Sequence, residues 1–212
     1  MLVKELAAII HQNAVDHGWW DGKRELPELS ALIHSEWSEA LEEARAGRPL
    51  VWYVCNDTKE ADAEGCAYKH PNICVTNGPC FYKEHKPEGV AVELIDGCIR
   101  ILDVLGYVDA DMLEPESGEQ TDISAIYGDG KHAAAKPDEL PEDVPTLIAW
   151  LHVFTARAID GDETQIIPEV NLVAAMSLAL SWVQSQGIDP IALLMEKHEY
   201  NKGRPYKHGK KF

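Results

Sequence analysis

Two stretches with helical periodicity carry the residues of this chain that could do chemistry. In the first, 29–45 (LSALIHSEWSEALEEAR), apolar residues recur at Leu29, Leu32, Ile33, Trp37, Ala40, Leu41 and Ala44, the spacing of one helix face. Glu36 falls in or beside that stripe, and Glu39 follows one turn later on the same side. The second stretch, 89–107 (GVAVELIDGCIRILDVLGY), is apolar almost all round, the pattern of a buried helix. Its charges do not scatter: Glu93, Asp96, Arg100 and Asp103 follow one stripe. A carboxylate on a buried face is costly unless something neutralises it, and two of them one turn apart repel each other. If the two helices face one another, Glu36, Glu39, Glu93 and Asp96 form an oxygen-lined site for Mg²⁺ or Mn²⁺, hard cations that prefer carboxylates and water. A lone pair of acids at this spacing reads more readily as a solvated helix face. The second pair, on a nearly all-apolar helix, favours the metal site.

These helices need others to hold them. The N-terminal stretch 2–17 reads as an amphipathic helix ending at Gly18, a C-cap, followed by Trp19, Trp20 and Asp21. The adjacent tryptophans are core anchors or, in a functional reading, one of them (Trp20), with His17 or Asn13, contacts a flat ring such as a nucleobase. Helical patterns over about 141–159 and 170–186 read as core packing, and Asp189-Pro190 opens a last helix that runs to about residue 202. Between the acidic helices, residues 50–87 differ in character. They carry β-like runs, an Asn77-Gly78-Pro79 turn signal and four of the five cysteines, Cys55, Cys66, Cys74 and Cys80. Four thiols in one inserted lobe could hold a structural Zn²⁺, but the spacing contains no CxxC pair, so buried or spare thiols stand beside that reading. Residues 108–141 are polar, acidic and rich in Gly and Pro, the composition of a flexible loop or lid. The sequence therefore predicts a single all-α domain over 1–212 with an irregular, β-containing, cysteine-bearing insertion.

The 212 residues suffice for one full core, and 45% of them are apolar. A net charge of −17 argues against nucleic-acid polymers and anionic membranes as partners. No basic region followed by a long apolar run opens the chain, and no stretch approaches a membrane span. Together with five cysteines, this points to a cytoplasmic protein with reduced or metal-bound thiols. A chain so acidic can handle a polyanion only with local cations. The C-terminus supplies them: Lys197, Lys202, Arg204, Lys207, Lys210 and Lys211. Lys197 and Asn201, one turn apart, with Arg204, would suit the oxygens of a triphosphate.

Glu36–Glu39, Glu93–Asp96, the closing KxxxNxxRPYxHGKK at 197–211 and the GWWD turn at Gly18–Asp21 together resemble the all-α nucleoside triphosphate pyrophosphohydrolases, in particular the MazG-like proteins of bacteria and phages. The resemblance covers 1–47, 88–107 and 188–212. It implies an antiparallel helical bundle that hydrolyses a nucleoside triphosphate between the α- and β-phosphates, in nucleotide-pool cleansing. It further implies that Glu36, Glu39, Glu93 and Asp96 are the Mg²⁺ ligands and that Lys197, Asn201 and Arg204 hold phosphates. Glu39 or Glu43 would orient the attacking water, and the protein would be a homodimer or homotetramer. The alternative from another class is a non-catalytic nucleotide- or metal-binding protein using the same acids. A di-iron helical bundle expects Glu-x-x-His pairs, and the chain has none.

Overall fold

The computed structural model describes residues 1–55, 73–74, 78–79, 85–108, 121–127, 140–160 and 168–209. They are mostly helical: α1 (Val3–Asp16), α2 (Leu26–Arg45), α3 (Val90–Tyr107), a short α4 (Ile123–Tyr127), α5 (Val144–Asp160), α6 (Pro168–Ser185) and α7 (Pro190–Lys202), followed by a 3₁₀ turn at Tyr206–Gly209. Among the described residues the named strands all fall within the insertion. They are β1 (Trp52–Cys55) paired antiparallel with β4 (His85–Glu88), and β2 (Ile73–Cys74) with β3 (Gly78–Pro79). No described helix is long and apolar enough to cross a membrane.

Local sequence explains the helix ends. The Asp189 carboxylate accepts hydrogen bonds from the Ile191 and Ala192 amides at 3.0 Å, and Pro190 fills the first turn, where a missing N–H costs nothing. Helix α2 likewise starts with Pro27 and Glu28 and ends with Arg45, each charge matching the helix dipole at its end. Gly18, at φ +77°, closes α1 in a Schellman turn: its amide reaches the Val15 carbonyl at 2.9 Å, and the Trp19 amide reaches Ala14 at 3.0 Å.

Helix α3 is the hub. It packs against α1, α2, α6 and α7, and one continuous core joins apolar residues from all seven helices. Two glycines set how closely its neighbours approach. A Cβ on Gly97 would lie 2.1 Å from the Trp37 ring of α2, and one on Gly106 would lie 2.6 Å from the Ala7 carbonyl oxygen of α1. Behind α2, α5 is fixed by Trp37, whose indole N–H donates to Thr155 Oγ1 at 2.9 Å, and by the stacked His34 and His152 rings.

The expected loop at 108–141 differs where it is described. Residues 121–127 contain α4 (Ile123–Tyr127), held by the Val3 amide on the Thr121 carbonyl just before it and by Ser177 Oγ on the Ile126 carbonyl. Residues 109–120 and 128–139 lie outside the described residues. So do Cys66 and Cys80, while Cys55 and Cys74 are placed only as backbone of β1 and β2.

Candidate metal-binding cleft

The close α2–α3 packing that Gly97 permits brings the acidic residues together. Glu36 of α2 and Glu93 and Asp96 of α3 each offer a carboxylate oxygen, all within 4.8 Å of one another. Glu36 and Glu93 are 7% and 4% exposed; Glu39, one turn further along α2, is exposed and lines the same cleft. The cleft holds about 230 Å³. Helix α7 contributes Lys197 and Asn201, and Arg204 follows from the segment after it. All four sequence-predicted metal ligands and all three predicted phosphate contacts thus share one cavity.

Its electrostatics are strained. Burial pushes the Glu36 carboxyl above its ordinary value; Asp96 and Glu39 add to this, and the Arg100 guanidinium opposes it through an ion pair at 3.0 Å. The Glu93 carboxyl is pushed up to about 9, first by burial, then by Asp96, with Lys197 opposing and a hydrogen bond with Glu88 adding to the rise. Burial works against the Lys197 ammonium. Asp96, paired with it at 2.8 Å, then Glu93 and Glu88 outweigh that and hold its pKa above the usual lysine value.

Mutually repelling, desolvated carboxylates with only oxygen donors fit a hard divalent cation, which would remove both penalties. Asn201 adds a second sign of fit: its Oδ1 is buried at the cleft and has no hydrogen-bond partner. Glu36, Glu93 and Asp96 would hold Mg²⁺ or Mn²⁺, with Glu39 at the lip.

Two predicted residues lie away from the cleft lining. The Trp20 indole N–H donates to Asp103 Oδ1 at 2.9 Å and its ring stacks on Tyr107 at 4.2 Å. Trp19 lines the cavity instead, with Arg100 over its ring at 5.6 Å. The His17 ring is engaged with the Asn13 carbonyl at 2.7 Å, while Asn13 itself lines the cleft. Glu43 accepts from the Trp52 indole at 2.8 Å and from Arg48 at 3.0 Å, so it braces the base of the insertion.

Sequence reading did not single out Arg100, Asp103 or Lys86 as site residues, yet all three line the cavity. The stripe of Glu93, Asp96, Arg100 and Asp103 along α3 carried the signal for the first two. Asp103 is oriented by His11 at 2.8 Å as well as by Trp20. The tail is placed by the turn it shares a motif with. Tyr206 packs on Gly18 and its hydroxyl donates to Asp21, while the Lys207 amide reaches the His17 carbonyl at 2.9 Å. Only a residue without Cβ leaves room for that ring.

Compared with protein-family models, curated proteins and solved structures, the chain matches none.

Proposed function

We propose that the chain is a Mg²⁺-dependent nucleoside triphosphate pyrophosphohydrolase that cleaves between the α- and β-phosphates. The supporting observation is that three mutually close carboxylates, two of them buried, and the Lys197, Asn201 and Arg204 set of α7 and its tail line one cleft. Either feature alone is common. Their meeting in one cavity fits a ligand that brings metal and polyphosphate together.

In this reading Glu36, Glu93 and Asp96 hold the cation, which when bound neutralises phosphate charge and lowers the pKa of water. Glu39, exposed at the lip, accepts the proton of the attacking water. Arg204 and the Asn201 amide hold phosphate oxygens. A new P–O bond forms from that water, the α–β bridging P–O bond breaks, and monophosphate and pyrophosphate leave. No side-chain nucleophile is required. Trp19, Asn13 and Asp103 also line the cleft, and the nucleoside would lie against them. The resemblance to MazG-like proteins supports the same reading, with an antiparallel bundle of that family's type, a cytoplasmic role in nucleotide-pool cleansing and a homodimeric or homotetrameric state.

The test is turnover with Mg²⁺ in wild type, Glu39→Gln and Asp96→Asn. Full metal-dependent activity in both variants would remove these roles. Stabilisation by a nucleotide without any product would instead favour the non-catalytic binding protein.

A further inference from the structure

The insertion between the two acidic helices enters the cleft through β4. Three consecutive residues do so: Lys86 lines the cavity, the Pro87 carbonyl accepts from Lys197 Nζ at 3.2 Å, and Glu88 shares a hydrogen bond with Glu93. The lobe is tied down from its other strand too, because the Tyr53 hydroxyl of β1 donates to Glu196 of α7. The cleft therefore has a wall that neither acidic helix provides.

This wall changes which cation can meet a phosphate. Among the described residues the cleft is lined by four, Lys86, Arg100, Lys197 and Arg204. Lys197 is 1% exposed, and its ammonium is held between Asp96 Oδ2 at 2.8 Å and the Pro87 carbonyl. Turning it towards a ligand would break a buried ion pair and also strip the Pro87 carbonyl of its donor, so the ammonium is held where Asp96 and β4 place it. Arg100 is engaged by Glu36 at 3.0 Å and lies over Trp19. Lys86 differs. Its side chain is 33% exposed, and its partner is Glu88, the residue that also bonds Glu93 at the metal end. The lysine is the more exposed side of this pair, 33% against 16% for Glu88. Among the described residues it has no second anchor like the Pro87 carbonyl that holds Lys197, and its flexible stem can carry a point charge to a phosphate.

We propose that Lys86, on the inserted strand β4, is the ammonium that meets the substrate's phosphates at the metal end of the cleft. Lys197 is a positioning residue that locks Asp96 and β4 together. The inserted lobe thereby completes the substrate site. This inference rests on the reading of the cleft as a triphosphate site.

The experiment compares wild type, Lys86→Ala, Lys86→Arg and Lys197→Met in three measurements. These are the KM and kcat of the triphosphate that wild type turns over, the Kd of inorganic pyrophosphate with Mg²⁺, and the Kd of Mn²⁺ alone. The expected result is that Lys86→Ala raises KM and the pyrophosphate Kd about tenfold, the scale of one charge-assisted hydrogen bond, with Mn²⁺ affinity unchanged. Lys86→Arg restores most of that loss, whereas Lys197→Met weakens Mn²⁺ binding. Wild-type KM and pyrophosphate affinity in Lys86→Ala would overturn the inference while leaving the pyrophosphohydrolase reading intact. So would a Lys197→Met variant with normal Mn²⁺ affinity and a tenfold higher KM. Absence of wild-type turnover and of pyrophosphate binding would overturn the reading itself, and the inference with it.

Discussion

Helices α3 and α6 are both 18 residues long and both buried along most of their length, but they treat their polar groups in opposite ways. The polar side chains buried on α6 are neutral: Asn171, Ser177 and Ser181. Ser177 and Ser181 donate to the Ile126 and Tyr127 carbonyls of α4, so each closes a bond that a chain end would otherwise leave open. Those on α3 are acids, Glu93 and Asp103, and Glu93 together with the half-buried Asp96 crowds a third carboxylate from α2. Neutral hydroxyls that each find a carbonyl, as these two serines do, hold a fold together. Acids that crowd one another in a cavity are tolerated only where another demand keeps them, and under the proposed function that demand is a cation.

The comparison is broken most severely by removing charge from α3. Asp96→Asn should lower Mg²⁺-dependent turnover at least about a hundredfold, the scale seen when a group that stabilises developing charge is lost. It should also destabilise the fold, because Lys197 is left buried without its counter-ion. Steady-state kinetics and thermal melts with and without Mg²⁺ check both effects, and an active, equally stable variant would refute the role of Asp96.

A smaller effect is expected at Glu93, and its sign is opposite. With its pKa raised to about 9, Glu93 keeps its proton in the folded state between pH 4.5 and 9 and loses it in the unfolded state. The folded chain binds more protons there, so this group's contribution to stability falls as pH rises. Glu93→Gln, neutral and still able to hydrogen-bond Glu88, should gain stability on the order of 3 kcal/mol at pH 7 without metal, since one unit is worth about 1.4 kcal/mol. The advantage should grow from pH 5 to 9 and disappear when Mg²⁺ stabilises wild type but not the variant. Urea unfolding across that range, with and without Mg²⁺, measures it; a pH-independent difference would contradict the burial argument.

Gly97→Ala tests the approach of α2 rather than any charge. The added Cβ meets the Trp37 ring, so stability should fall by about 1–3 kcal/mol through overpacking. Turnover should fall with it as Glu36 moves away from Glu93 and Asp96. The smallest effect belongs to α6: Ser177→Ala should cost about 1 kcal/mol and leave turnover per folded molecule unchanged. A loss of activity in that variant, with the fold intact, would mean that α6 is part of the site after all.

The sequence made the helices and the acids legible because both are periodic. The 3.6-residue spacing placed six helices within a few residues of where they lie, and the Asp189-Pro190 start needed no tertiary context. The stripe of charges on α3 marked one wall of the cleft. Side-chain choice at single positions was less legible. Whether Trp19 or Trp20 enters the cavity depends on how the Gly18 turn rotates the chain, and adjacent residues in a turn carry no period. Lys197 read only as a phosphate contact, because nothing in its own neighbourhood announces Asp96 and Pro87, about a hundred residues away. Lys86 and Glu88 carried no signal at all, since their place beside the cleft comes from where β1 and β4 are set against α7. Helix α4 was missed because its five residues are too few for a periodic pattern, and it forms by leaning on α6.

The most direct test of the central proposal is to supply a panel of nucleoside triphosphates with Mg²⁺ and separate the products. The predicted result is monophosphate and pyrophosphate from one or a few members, abolished by chelation and by Asp96→Asn. Release of single phosphate, or no product from any member despite stabilisation by one of them, would contradict it.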